Sequence, residues 1–351
     1  MRLELIHLRL PLVHFFETSF GRVHENETLL VRLEEDGCVG WGECPAGAAP
    51  HYSYETVETA RYVIAGFWRP EGFGNVRGHP MAKAGVEMAL WDLRARKEGR
   101  PLRELYGGTR DEIESGVSLG IEERPDDLLA RVAEARERGY RRVKVKIKPG
   151  WDLDVIEKIR ERFPALPLMA DANAAYTTAD FAHLAKLDAF NLTMLEQPLD
   201  HDDLFDHAQL ARAMRTPICL DESVKSPADA RHALEIGACR IINIKQARVG
   251  GPARARQIHD IAREAGAPVW CGGLLESGIG RAHNVALASL PNFTLPGDVS
   301  ASDRYYREDV IDPPFRLTER GTLSVPRGPG IGVEVREDVI ARYTVRRERV
   351  L

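Results

Sequence analysis

The segment RVKVKIKPG (141–149) alternates strictly, with Lys144, Lys146 and Lys148 at every second position and Val143, Val145 and Ile147 between them. A β-strand turns successive side chains to opposite faces, so the lysines share one face and the aliphatics the other. An isolated, half-buried strand would put such lysines in water. The surrounding pattern changes that reading. A helix-like run that closes on a glycine leads directly into an apolar strand in ERGYRRVKVKIK, EIGACRIINIK and EAGAPVWCGG, with Gly139, Gly237 and Gly266 where a left-handed cap ends a helix. Between strands lie amphipathic runs such as DVIEKIRERF, where Val155, Ile156, Ile159 and Phe163 recur at helical spacing. Predicted strands end near Ser118, Lys146, Asp171, Glu196, Asp221, Lys245, Cys271 and Asp298, at intervals of 28, 25, 25, 25, 24, 26 and 27 residues. A strand, a helix and two short loops need about that length, and eight such strands make a parallel (β/α) barrel of the TIM type. An open doubly wound sheet is the competing architecture.

Residues 1–110 have a different texture. LLVRLEEDGCVGWGE reads as a hairpin with Asp36-Gly37 as its two-residue turn. Helical runs follow at about 54–68 and 80–97, and the tail after about 324 is strand-like and rich in proline and glycine. The organisation expected is an α+β unit over 1–110, completed by about 324–351, and a barrel over 111–323.

Composition narrows the function classes. The 351 residues are 44% hydrophobic and 29% charged, with a net charge of −5, so neither a nucleic-acid surface nor a membrane span is expected. The opening MRLELIHLRLPLVHFF lacks the apolar core and cleavage site of a signal peptide. Five cysteines, odd in number and without metal-ligand spacing, read as reduced thiols in a cytoplasm.

LPLMADAN, LTMLEQP and PICLDES each run apolar and stop on an acid: Asp171, Glu196 and Asp221. Any one of them alone reads as a helix N-cap or loop residue. Three in register on consecutive barrel strands would meet at the C-terminal mouth, where like charges repel strongly. A hard divalent cation, Mg²⁺ or else Mn²⁺, resolves that with oxygen ligands. The strands of Lys146 and Lys245 flank these acids and should oppose each other across the mouth, with Lys144 deeper beneath Lys146 and Lys148 at the rim. Ammonium groups placed near each other and a cation should lose affinity for their protons. A metal with two opposed lysines suits abstraction of the proton α to a carboxylate, the lysines serving as base and acid.

These segments resemble the enolase superfamily in its muconate-lactonizing branch, and most closely the o-succinylbenzoate synthase / N-succinylamino acid racemase family. The resemblance is carried by VKVKIKPGWD, DANAAYT, LEQPL, TPICLDES, NIKQARVGG, VWCGGLLESGIGRAHN and NFTLPGDVSASDRYY. It implies a modified (β/α)7β barrel under an α+β capping domain and a homo-oligomer acting on a small carboxylate. It further implies that Lys146 and Lys245 are the acid/base pair, that Lys144 supports Lys146, and that Asp171, Glu196 and Asp221 bind Mg²⁺. Ser118, Asn173, Gly273, Leu274, Leu275 and Tyr305 would line the substrate pocket, closed by the loops of Phe20 (ETSFGR) and Tyr52 (GAAPHYSY). The seventh strand carries CGG in place of the histidine of the mandelate-racemase branch, and no Asp-x-Asp follows PGD, so the device that holds an α-ammonium in dipeptide epimerases is missing.

Three functions follow from such a site. The first is dehydration of 2-succinyl-6-hydroxy-2,4-cyclohexadiene-1-carboxylate to o-succinylbenzoate in menaquinone synthesis, with N-succinylamino acid racemisation beside it. The second is a dedicated N-acylamino acid racemase. The third, a barrel that only binds its ligand, conflicts with the complete set of lysines and acids.

Overall fold

The computed structural model describes residues 1–351. The first hairpin is long, pairing Arg2–Thr18 with Gly21–Glu35, and the chain then turns at Asp36 (φ 53°) and Gly37 (φ 77°) into Cys38–Cys44. Two positive φ values are what a two-residue hairpin turn of the right twist requires. The final strand Thr344–Arg349 adds to the other edge, pairing antiparallel with Arg2–Thr18. Helices Val57–Phe67 and Pro80–Lys97 cover this sheet. The second lies almost on the backbone of Cys38–Cys44: a Cβ on Gly42 would stand 2.0 Å from the Gly85 carbonyl oxygen, and one on Gly40 2.3 Å from that of Ala89. The tail departs from its strand-like reading at Glu337–Tyr343, a helix of seven residues. With only Val339 and Ile340 buried, it is too short to show a helical period.

Seven parallel strands curl in sequence order: Gly116–Leu119, Arg142–Lys146, Leu168–Asp171, Leu195–Glu196, Ile218–Leu220, Ile241–Ile244 and Val269–Cys271. The eighth position is not a regular strand. Residues 293–298 bridge the gap through isolated pairs, Val269 with Phe293 and Ser115 with Gly297. The Gly116 amide donates to the Gly297 carbonyl (2.6 Å), and the Asp298 amide to that of Cys271 (2.9 Å). Pro296 sits in this stretch and has no N–H to give a continuous ladder.

The period-two rule sorts the barrel side chains. Met169, Met194, Cys219, Ile241 and Trp270 form their own buried cluster inside the barrel. Val143, Val145, Ile147, Ala170, Leu195, Leu220, Ile242, Ile244 and Val269 join the larger core shared with the outer helices. Two residues beyond each inner residue the chain is again inward, now at the C-terminal mouth. Those positions are Asp171, Glu196, Asp221, Asn243 and Gly272, with Lys245 one step above Asn243. No helix is long and apolar enough to cross a membrane, and all five cysteines are unpaired.

Candidate active site

Arg142, Lys144 and Lys146 rise inward along one strand, all buried. The Arg142 guanidinium lies 4.5 Å from the Trp270 ring centre and donates to Asp298. The Lys144 ammonium is held by Asp171 Oδ2 (2.9 Å), Glu196 Oε2 (2.9 Å) and Asp298 Oδ2 (2.6 Å). Lys146 donates to Asp171 Oδ2 and Asn173 Oδ1, both at 2.6 Å. Lys148 is at the rim, its side chain 41% exposed and 3.6 Å from Glu17. With three strands between them in the sheet order, Lys146 and Lys245 face each other across the mouth. Lys245 donates to Asp221 Oδ2 (2.7 Å) and to the Tyr52 hydroxyl (3.1 Å), with its ammonium 4.4 Å from the Tyr52 ring centre.

The two opposed lysines differ in their hold on the proton. Burial, reinforced by the Lys144 charge, outweighs Asp171 and holds the Lys146 ammonium below the usual lysine range. Burial also opposes charge on Lys245, but the oxygens of Tyr52, Glu222 and Glu196 outweigh it and hold that group above the usual range. Lys144 is likewise held up: burial is overcome by Asp171, Asp298 and Glu196. The two faces of the mouth therefore differ, the Lys146 ammonium giving up its proton more readily than that of Lys245.

Asp171, Glu196 and Asp221 are fully buried at the mouth. Buried cations partner all three. Asp171 and Glu196 close around Lys144, whereas Asp221 is turned to Lys245, Arg248 and the Tyr52 hydroxyl (2.9 Å). Opposed cations compete for the third acid. The donor set still suits a hard divalent cation: every atom offered is a carboxylate oxygen, and burial together with the Asp171 charge pushes the Glu196 carboxyl above its usual range. The exposed Asp200 and Asp202 with His201, on the loop after Leu195–Glu196, also bring their ligand atoms within 4.8 Å of one another.

One cavity of about 380 Å³ opens above the lysines. It is lined by Lys144, Lys146 and Lys245 together with Ser118, Asn173, Gly273, Leu274, Leu275, Tyr305, Phe20 and Tyr52. Phe20, 38% exposed, stands at the tip of the first hairpin, where Ser19 Oγ donates to the Asn173 carbonyl across to the barrel (3.2 Å). Ser118 Oγ is buried with no protein partner. Tyr52, expected as a closing aromatic, lines this cavity and also inserts its hydroxyl between Asp221 and Lys245.

Several site residues escaped the sequence reading. Arg142 and Asn243 stand two residues before Lys144 and Lys245, on the same face, so strand parity alone could have found them. Asn243 donates to Glu196 Oε1 (2.7 Å). Glu222 accepts from Asn173 (2.9 Å), and Arg248, one turn beyond Lys245, binds Asp221. Asp298 gives one oxygen to Lys144 and the other to Arg142, so two buried cations already share its charge. Gly272 explains the missing seventh-strand side chain: a Cβ there would be 2.6 Å from Lys245 Cε and 2.4 Å from Asn243 Oδ1.

Comparison with known proteins agrees along the whole chain. The family described as mandelate racemase / muconate lactonizing enzyme, N-terminal domain, matches residues 4–107, and enolase C-terminal domain-like matches 127–339. An o-succinylbenzoate synthase of Geobacillus kaustophilus is 50% identical, over 97% of this chain and 94% of that protein. An N-succinylamino acid racemase of Thermus thermophilus is 46% identical over 98% of each. The crystal structure of an enolase superfamily member from Enterococcus faecalis superposes with a TM-score of 0.92 at 44% identity, covering 100% of this chain and 99% of that one. With two adjoining family segments and relatives this similar from end to end, the chain belongs to the enolase superfamily, in the family of o-succinylbenzoate synthases and N-succinylamino acid racemases.

Proposed function

We propose that this protein is an o-succinylbenzoate synthase that also racemises N-succinylamino acids. The observation that carries the reading is the single cavity in which Lys146 and Lys245 oppose each other beneath Phe20 and Tyr52. Members of the enolase superfamily use a divalent metal, and here Asp171, Glu196 and Asp221 would hold Mg²⁺. Bound there, the ion supplies positive charge against the oxygens of an enediolate.

The cations of the mouth support a carboxylate substrate. Arg142, Lys144, Lys146, Lys245 and Arg248 are buried there beside the carboxylates of Asp171, Glu196, Asp221, Glu222 and Asp298. A divalent cation would add positive charge, which substrate carboxylates offset. Both candidate substrates are dianions, with one carboxylate beside the reacting carbon and one on the succinyl arm.

Dehydration uses the two faces unequally. Lys146, whose ammonium burial holds below the usual lysine range, takes the proton α to the ring carboxylate as the amine. The C–O bond then breaks, and the hydroxide leaving on the same face recovers that proton from Lys146 as water. Lys245 stays cationic against the ring. Racemisation needs both: the lysine on one face removes the α-proton and the ammonium on the other returns one. Ser118 Oγ and Asn173 offer hydrogen bonds to the bound acid.

Assay of the purified protein on both substrates tests the proposal. Turnover of the cyclohexadiene carboxylate and interconversion of N-succinylamino acid enantiomers are both expected. Racemisation without dehydration would favour a dedicated racemase, and neither activity would leave only a binding barrel. Tyr52→Phe tests the part given to its hydroxyl. Losing a hydrogen bond to charged groups is expected to slow exchange through Lys245 about 10- to 100-fold while leaving exchange through Lys146 within about threefold. Solvent-deuterium exchange on separate enantiomers reads the difference, and an equal fall in both would return Tyr52 to a purely enclosing role.

A further inference from the structure

One wall of the cavity is made by Gly273, Leu274 and Leu275, directly after strand Val269–Cys271. Leu275 has φ 59°, the left-handed region that a branched side chain avoids. Such a residue persists only where its surroundings hold it. Its carbonyl accepts two hydrogen bonds, from Asn26 Nδ2 (2.8 Å) and from the Tyr306 hydroxyl. The same Asn26 Nδ2 also lies 2.9 Å from the Tyr306 oxygen, closing a triangle. Both residues are more than nine-tenths buried, with Asn26 8% and Tyr306 3% exposed.

Asn26 belongs to the capping sheet, on strand Gly21–Glu35, which begins next to Phe20. The same sheet grips the far end of the wall. Glu43, fully buried, accepts from the Ser277 amide (3.0 Å), Ser277 Oγ (2.6 Å) and the Gly280 amide (2.9 Å). The Leu274 amide is held by Glu276 Oε2 (2.7 Å). Asn26 is thus the capping-sheet group bonded to the one left-handed residue of this wall.

We propose that Asn26 is a positioning residue that sets substrate selectivity: its amide keeps Leu275 left-handed and so fixes the Leu274–Leu275 wall against the substrate. The inference rests on the reading of this cavity as the substrate site. It makes the capping hairpin and a barrel loop one rigid surface, so that the cap shapes the pocket through a barrel residue as well as through its own loop tips. Lys146 and Lys245 lie on other strands, so the wall bears on binding and little on proton transfer.

The test is a double-mutant cycle of Asn26→Ala and Leu275→Gly, with Asn26→Asp as the near-isosteric variant that cannot donate. Glycine accepts φ 59° without strain, so the need for the Asn26 amide should vanish with Leu275. Asn26→Ala and Asn26→Asp are expected to raise KM for an N-succinylamino acid on the order of tenfold, with kcat within about threefold. Adding Asn26→Ala to Leu275→Gly should change KM less than twofold. Amide hydrogen exchange of peptides spanning 272–280 gives a readout that needs no substrate. It should speed up in Asn26→Ala and show no further increase when that change is added to Leu275→Gly. Unchanged exchange in Asn26→Ala, or an Asn26 effect of equal size in both backgrounds, overturns the inference. Faster exchange with KM unaltered would instead place the substrate elsewhere, which counts against the functional reading and not against the triangle.

Discussion

Replacing either Lys146 or Lys245 by alanine is expected to abolish racemisation of an N-succinylamino acid, yet each variant should still exchange the α-proton of one enantiomer in D₂O. Inversion needs a base on one face and an acid on the other, so removing either ends it, by about 100- to 10,000-fold or more. Exchange needs one base only. Lys245→Ala retains Lys146, and Lys146→Ala retains Lys245, so the two variants should label opposite enantiomers. Their pH profiles should also separate. Lys146 is held below the usual lysine range by burial and Lys144, so its amine is available at lower pH and exchange through it should level off earlier. Lys245 is held up by Tyr52, Glu222 and Glu196 against its burial, so exchange through it should keep rising to higher pH. Dehydration should be lost in Lys146→Ala, while Lys245→Arg, which keeps a cation, should retain a trace. Proton NMR on separate enantiomers gives the answer. Two variants that label the same enantiomer would end the two-base assignment.

Chelation is expected to remove dehydration, racemisation and exchange together, by roughly 1,000-fold or more, with recovery on adding Mg²⁺. Glu196→Gln should do the same without a chelator. It keeps the side-chain shape but removes a charge from the acid that burial and Asp171 already push upward, and it weakens the contacts with Lys144 and Asn243. Calorimetric titration with Mg²⁺ reads the site independently of turnover, and Glu196→Gln should show little or no uptake there. The exposed cluster supplies the control. Asp200→Asn with Asp202→Asn removes both acids of the exposed Asp200–His201–Asp202 cluster, and it should leave both Mg²⁺ uptake at the mouth and activity unchanged. Loss of activity in that double variant, with Glu196→Gln active, would move the metal from the barrel mouth to the loop.

Much of this was legible in the chain because it is periodic. The two-residue alternation of VKVKIK and IINIK turned Lys144, Lys146 and Lys245 inward, and the interval of about 25 stacked their strands. Apolar runs ending on Asp171, Glu196 and Asp221 set those acids at one mouth. Both patterns are local, fixed by backbone geometry and by the length of one strand–helix unit.

The irregular closure at residues 293–298 was hidden because a strand with a proline and only two bridges has almost no sequence period. Phe20 and Tyr52 were placed by resemblance, since a lone aromatic in a loop carries no pattern.

What the sequence alone determined was which side chains share the barrel interior. What only the tertiary structure decided was how their charges divide: Asp221 taken by Lys245, Tyr52 and Arg248, Asp298 spent on Lys144 and Arg142, and Leu275 held left-handed by Asn26 from the other sheet. The physical reason is distance along the chain. An inward direction is a property of one strand, whereas the partner of a buried charge depends on which loops and sheets arrive beside it after folding. In a low-dielectric mouth that neighbour settles how tightly a lysine holds its proton.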